Sequence, residues 1–309
     1  MRAARYYDRG DIRIEDIAEP TVGAGEVGID VAWCGICGTD LHEFADGPIF
    51  VPPAGHPHPI SHESAPVTLG HEMSGVVTAL GDGVTDLAVG DHVVVEPYII
   101  GEGVDTGPDS VDYHLSPDMN FIGLGGCGGG LGEKISVKRR WVHKVSADIP
   151  LDQAALIEPL SVGYHAVDRS DATEGDTALI TGAGPIGLLT AAVCKARGIT
   201  TIISEPSALR REKAVATGVA DHVIDPIAVD PVAVTRELTG GRGADVGFEC
   251  TSVQPALDTL FDALRPTGVL VVVSIWGHPA SVEMQKLVLK EIDLRGTMSS
   301  DGQIVSLDN

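Results

Sequence analysis

The sequence predicts an α/β protein in two parts: a compact antiparallel, barrel-like β domain over residues 1–150 and a parallel, doubly wound sheet over 151–298. Three observations carry this. Short apolar runs cut by Gly, Asp and Pro fill the first part, the mark of short strands joined by tight turns. From about residue 151, strand-like runs alternate with segments of helical length, which a parallel sheet with helices on its faces requires. Between one such strand and one such helix stands Gly182-Ala183-Gly184-Pro185-Ile186-Gly187, a glycine signature for dinucleotides. A chain of 309 residues is long enough for about two domains.

Taken in order, the runs Val27 to Trp33, Ser74 to Leu80 and His92 to Pro97 predict strands, with Gly81-Asp82-Gly83 and Val89-Gly90-Asp91 as turns. Residues 42–70 read as a long loop rich in Pro and His. His56, His58 and His62 could gather a second metal there, but the neighbouring prolines restrict convergence and favour a stiffened loop. Residues 101–133 are rich in Gly and Asp, and Gly125 to Gly130 has the composition of a phosphate cradle. The stretch after it, Glu133 to Lys138, reads as a strand, so no helix N-terminus supplies anion donors, and a flexible or tightly turning loop is expected.

In the second part, Thr177 to Thr181, Thr201 to Glu205, His222 to Asp225, Asp245 to Cys250 and Val269 to Ile275 predict strands. Ile186 to Arg197, Ser207 to Thr217, Pro231 to Leu238 and Pro255 to Leu264 predict the helices between them.

Composition narrows the partners. A net charge of −23 argues against nucleic acid or an anionic membrane and suits a solvated acidic surface. No apolar run approaches the ~18 residues of a membrane span, and the N-terminus lacks a signal-peptide core, so a cytoplasmic protein is expected. Five cysteines give no disulfide framework, and Cys127, Cys194 and Cys250 read as ordinary buried or loop thiols.

The glycine signature has the strand–turn–helix context that its chemistry needs. Gly182 permits the tight turn, Gly184 lets the backbone approach a pyrophosphate, and Gly187 allows close helix–sheet packing. Glu205 ends the next strand, where a carboxylate accepts the ribose hydroxyls of NAD and repels the 2′-phosphate of NADP. Arg210 and Arg211 temper that preference, because a nearby guanidinium binds phosphate.

Upstream, Cys37-Gly38-Thr39-Asp40-Leu41-His42 and Gly70-His71-Glu72 bring together a thiol, an imidazole and a carboxylate, three usual zinc ligands. Cys37 and His71 supply two ligands; Glu72 and Glu158 compete for the third, and the other could orient a ligand or hold the zinc water. Zinc lowers the pKa of an alcohol, so a hydride can leave for the nicotinamide near neutral pH. Thr39 would accept the proton and pass it, through the cofactor ribose, to His42 and solvent.

Gly35 to His42, Gly70-His71-Glu72, Glu158-Pro159-Leu160-Ser161-Val162-Gly163 and the Gly182 turn together resemble the zinc-dependent medium-chain dehydrogenase/reductase family, and within it the polyol branch. Asp46 to Phe50, Gly55 to Pro59, Ala65 to Glu72, Val95 to Tyr98 and Ser204 to Ser207 fit the same branch, and the likeness runs from residue 1 to about 297. It implies a GroES-like catalytic domain, a Rossmann domain, one catalytic zinc, NAD, a homodimer or homotetramer, and Thr39 with His42 as the proton relay. The expected reaction interconverts a vicinal diol and an α-hydroxyketone. Sorbitol- or threonine-type oxidation is the neighbouring reading.

Two departures stand out. Many relatives carry a cysteine-rich structural-zinc lobe in the region matching 101–117; this sequence has no cysteine there, so no structural zinc is expected. Residues 299–309 do not resemble the family's continuation and read as an atypical, truncated tail, which raises the alternative of an inactive homologue with a binding or structural role.

Overall fold

The computed structural model describes residues 1–106, 110 and 112–301. The part of the expected tail beyond Asp301 lies outside the described residues, as do Gly107 to Asp109 and Val111 in the 101–117 region. Two compact units are present, Met1–Glu158 with Asp301, and Pro159–Ser300. Among the described residues no helix is long and apolar enough to cross a membrane.

The first unit holds β1 (Arg2–Asp8), β2 (Asp11–Asp16), β3 (Glu26–Gly35), α1 (Gly38–Asp46), β4 (Val67–Thr68), β5 (Glu72–Leu80), β6 (His92–Val95), β7 (Tyr98–Ile99), β8 (Asn120–Phe121), β9 (Lys134–Lys138), β10 (Val142–Lys144) and α2 (Leu151–Ala154). Its main sheet has the antiparallel order β10-β6-β5-β3-β9; β2-β1-β4 and β7-β8 form two smaller sheets. Val27, Ile29, Met73, Val77, Val93, Ile135 and Val137 are buried along this sheet. Each such side chain stabilises the unit by about 1.5–3 kcal/mol. The β3–β5 ladder runs from Val27 opposite Leu80 to Gly35 opposite Glu72, with irregularities at Gly28/Ile29 and Val31/Trp33. Helix α2 lies beyond the boundary drawn from the sequence. Ala154 packs with Val94 and Val145, and Ser74 Oγ donates to the Leu151 carbonyl.

The structure differs from the sequence reading in the 42–70 stretch. Helix α1 takes its first residues and β4 lies near its end. The helix begins because the Asp40 carboxylate accepts the Cys37 N–H at 2.9 Å, a cap that apolar periodicity does not register. The strand from His92 ends at Val95; the Glu96 N–H still donates to the Trp141 carbonyl at 2.8 Å, but Pro97 has no N–H to carry the ladder further.

Helix α3 (Ile157–Asp168) starts at the end of the first unit and leads into the second. There follow β11 (Thr177–Thr181), α4 (Pro185–Ala196), β12 (Thr200–Ser204), α5 (Ala208–Thr217), β13 (His222–Ile224), α6 (Pro231–Leu238), β14 (Ala244–Glu249), α7 (Gln254–Ala263), β15 (Leu264–Val272), α8 (Met284–Lys290) and β16 (Asp293–Gly296). The six strands are parallel in the order β13-β12-β11-β14-β15-β16. Both faces are covered, which explains the near-continuous apolar strands. Ile180, Ile203 and Phe248 pack with Ala191, Cys194 and Ala214 on one side; Leu179, Ile202 and Leu270 pack with Leu257, Leu260 and Phe261 on the other. Helix α6 starts where Asp230 accepts the Val232 N–H at 2.9 Å ahead of Pro231 at N1, and α5 ends at Gly218 with φ 70°. The order reverses between β11 and β14, so the crevice at their carboxyl ends is the switch point where such sheets take ligands.

Candidate metal centre and dinucleotide loop

Strand register closes the sequence gap between the candidate ligands. Cys37 lies two residues past β3, while His71 and Glu72 stand at the start of β5, whose first residue pairs with the last of β3. The ligand atoms of Cys37, His71 and Glu72 all lie within 4.8 Å of one another, the one such group among the described residues. Glu158 is buried at 5% exposure beside this group but is not one of its converging members.

The electrostatics suit a divalent cation. Burial pushes the Cys37 thiol well above its ordinary range, with Glu72 and Glu158 adding to the rise. Burial raises Glu72, partly offset by a hydrogen bond from Cys37. Burial, then Glu72, Asp40 and Glu96, raise Glu158 far above the carboxylate range. Burial lowers His71 to about 4, so the imidazole is neutral and able to ligate. A thiol, an imidazole and carboxylates packed together, each resisting its charge, form a donor set that zinc fits.

Asp40 escaped the sequence reading as a site residue. It is buried, and burial raises it to about 7 against hydrogen bonds from the Cys37 and Gly70 backbone. Its Oδ1 lies 3.8 Å from His71 Nδ1, which has no hydrogen-bond partner, so Asp40 stands where a carboxylate orients a ligating imidazole. The available signal was an acid three residues after Cys37, in the capping-box position.

Thr39 and His42 lie three apart on α1 and so share a face. The Cys37 thiol donates to Thr39 Oγ1 at 3.6 Å, and half-exposed His42 has Nδ1 3.8 Å from Asp46 Oδ2.

The glycine-rich stretch is a tight backbone layer behind His71. The Gly130 N–H donates to the Gly70 carbonyl and the Leu131 N–H to the Leu69 carbonyl, each at 2.8 Å. A Cβ on Gly123 (φ 86°) would stand 2.0 Å from the Gly70 carbonyl oxygen. In the Pro/His loop, His58 is buried and its Nδ1 accepts the Ile60 and Ser61 N–H groups at 3.3 Å, which commits that nitrogen to the loop itself.

In the second unit, Gly182 leaves β11 with φ 93°, Gly184 caps α4, Pro185 and Ile186 open the helix, and a Cβ on Gly187 would stand 2.1 Å from the Gly182 carbonyl. Nothing lies within 4 Å of the Cβ position of Gly184, so the backbone there is open to a pyrophosphate. Buried Glu205 accepts the Ala183 and Ser207 N–H groups at 2.8 Å, which aims its carboxylate at the same turn. Arg211 is committed: it donates to the Glu205 and Pro206 carbonyls and pairs with Asp225 at 2.8 Å. Arg210 is exposed, 4.0 Å from Glu205. These residues fit a nicotinamide dinucleotide.

Comparison with known proteins agrees with both units. Residues 23–147 match the alcohol dehydrogenase GroES-like domain and residues 185–306 the zinc-binding dehydrogenase domain. The chain is 67% identical over 299 residues to an (R,R)-butanediol dehydrogenase of Neisseria gonorrhoeae, covering 97% of this chain and 84% of that one. It is 33% identical over 292 residues to a sorbitol dehydrogenase of Homo sapiens, covering 93% and 78%. The crystal structure of 2R,3R-butanediol dehydrogenase from Bacillus subtilis superposes with a TM-score of 0.90 at 41% identity, covering 99% of this chain and 87% of that one. With its ligand group, its parallel sheet and these relatives, the chain belongs to the zinc-dependent medium-chain dehydrogenase family of enzymes.

Proposed function

We propose that this enzyme interconverts a vicinal diol and an α-hydroxyketone, of the 2,3-butanediol and acetoin type, by hydride transfer to and from NAD. The convergence of Cys37, His71 and Glu72 in a chain 67% identical to an (R,R)-butanediol dehydrogenase carries the reading. Those three residues would hold zinc, with Glu158 buried beside them as reserve ligand or orienting carboxylate. Zinc acidifies an alcohol and polarises a carbonyl. Thr39 accepts the hydroxyl proton and His42, one turn along α1, releases it to solvent. Backbone N–H groups at Gly184, Ile186 and Gly187, at the start of α4, take the pyrophosphate, with Pro185, which has no N–H, fixing the first turn of the helix; Glu205 holds the adenosine ribose, with Arg210 at its rim. Lower identity to sorbitol dehydrogenase places polyol oxidation second. The enzyme acts on a small molecule, and we place it in the cytoplasm as a homodimer or homotetramer.

The test is NADH formation on 2,3-butanediol stereoisomers, sorbitol and threonine, with metal content measured on the same sample. The expected result is turnover of a butanediol stereoisomer by protein with about one zinc per chain. Faster turnover of sorbitol or threonine overturns the substrate; no turnover by zinc-loaded protein overturns the activity.

A further inference from the structure

Glu249, the last residue of β14, has no solvent exposure, and among the described residues no Lys or Arg pairs with it. Its carboxylate is satisfied by five donors drawn from two loops. One oxygen accepts the Thr251 N–H at 2.7 Å, the Thr251 hydroxyl at 2.6 Å and the Ser252 N–H at 2.9 Å. The other accepts Trp276 Nε1 at 3.0 Å and the Ser274 hydroxyl. The Glu249 carbonyl also accepts the Val273 and Ser274 N–H groups. One residue thus ties the loop after β14 to the loop after β15.

Those loops lie at the carboxyl ends of strands on the far side of the switch point from Glu205. In a doubly wound sheet each half takes one mononucleotide. The Glu205 half takes the adenosine, so β14 and β15 border the nicotinamide. The tie reaches the phosphate turn as well: the Cys250 N–H donates to the Thr181 carbonyl at 3.2 Å, and Thr251 Cγ2 is 2.8 Å from where a Gly182 Cβ would stand.

We propose that Glu249 is a positioning residue for the nicotinamide half of the cofactor, fixing both bordering loops through one carboxylate. The proposal rests on the NAD reading above. A glutamine at 249 turns one acceptor oxygen into a donor and faces N–H or O–H groups with another N–H, so one loop loses its anchor.

The experiment compares the full chain with Glu249→Gln, measuring affinity for NADH by its fluorescence and for AMP, the adenosine half alone, by calorimetry. Glu249→Gln should weaken NADH about tenfold while AMP changes by less than about twofold. The emission shift of bound NADH should shrink, which a general loosening of the unit would not produce selectively. Trp276→Phe, which removes a single donor, should move NADH the same way by less. Equal weakening of NADH and AMP, or unchanged NADH affinity, overturns the proposal. Should Glu249→Gln not fold, unchanged NADH affinity in both Trp276→Phe and Ser274→Ala overturns it. Failure of the unmodified chain to bind NADH overturns the cofactor reading and this proposal with it, whereas normal binding there confines any failure to Glu249.

Discussion

Gly35 lies opposite Glu72 in the β3–β5 ladder, and a Cβ on Gly35 would stand 2.1 Å from Glu72 Oε2. The missing side chain is the room that the Glu72 carboxylate occupies. Gly35→Ala should leave the first unit folded, since the clash is with the end of a side chain, but should push Glu72 aside. Displacing a ligand-orienting contact typically lowers metal affinity about 10–100-fold. Competition with a chelating dye measures it, and wild-type affinity in Gly35→Ala contradicts the role.

Glu72 and Glu158 should separate by metal content. Glu72 is within the converging group and Glu158 is not. Glu72→Gln should lose most of the zinc, and Glu158→Gln should retain it with reduced turnover. Elemental analysis decides, and the reverse order makes Glu158 the direct ligand.

Zinc uptake should be proton-linked. Without metal, burial holds the Cys37 thiol above its usual range, so it is protonated at neutral pH and must lose that proton to ligate. His71, lowered to about 4, has already lost its own. Releasing a proton favours binding as pH rises, so the apparent affinity should increase about tenfold per unit between roughly pH 6 and 8. Asp40, raised to about 7, adds a small extra slope below neutrality. A curve flat in pH means the thiol is ionised before the metal arrives.

NAD should be preferred over NADP. Glu205 is aimed at the phosphate turn, and Arg211 is spent on two carbonyls and Asp225, leaving Arg210 as the nearby exposed cation. The ratio of kcat/KM for the two cofactors should favour NAD by about tenfold or more, and Glu205→Ala should narrow it. A wild-type ratio favouring NADP would put Arg210 in control.

His42→Ala should slow diol oxidation by about 10²-fold, the low edge for a proton-transfer group, because water replaces a relay end. The defect should shrink as pH rises, when hydroxide takes the proton instead. A pH-independent loss assigns His42 to packing.

Much of this was legible in the sequence where local chemistry decides. The Gly182 turn, Glu205 and the strand–helix alternation announce a nucleotide unit because each carries a signal within a few residues. Cys37, His71 and Glu72 were nameable as ligand types, but their convergence depends on register between β3 and β5, which a linear reading does not contain. Helix α1 was missed because it is set by a cap at Asp40 rather than by an apolar stripe. The Gly125–Gly130 stretch is the tightly turning loop that its composition predicts, but the bond from the Gly130 N–H to the Gly70 carbonyl joins residues too distant in sequence to be foreseen. Glu249 falls inside the predicted strand Asp245 to Cys250 with nothing to mark it; only its donors from two later loops distinguish it.

The meshed main chains of Gly70 and Gly123 bear on the order of assembly. They join stretches far apart in the sequence, so the contact closes only after the intervening strands have paired, when the loop entropy is already spent. On this ground His71 is expected to reach its final place late, on a unit already collapsed. Zinc is then a passenger in refolding rather than its nucleus: the ion should leave the main refolding rate unchanged and act by slowing unfolding.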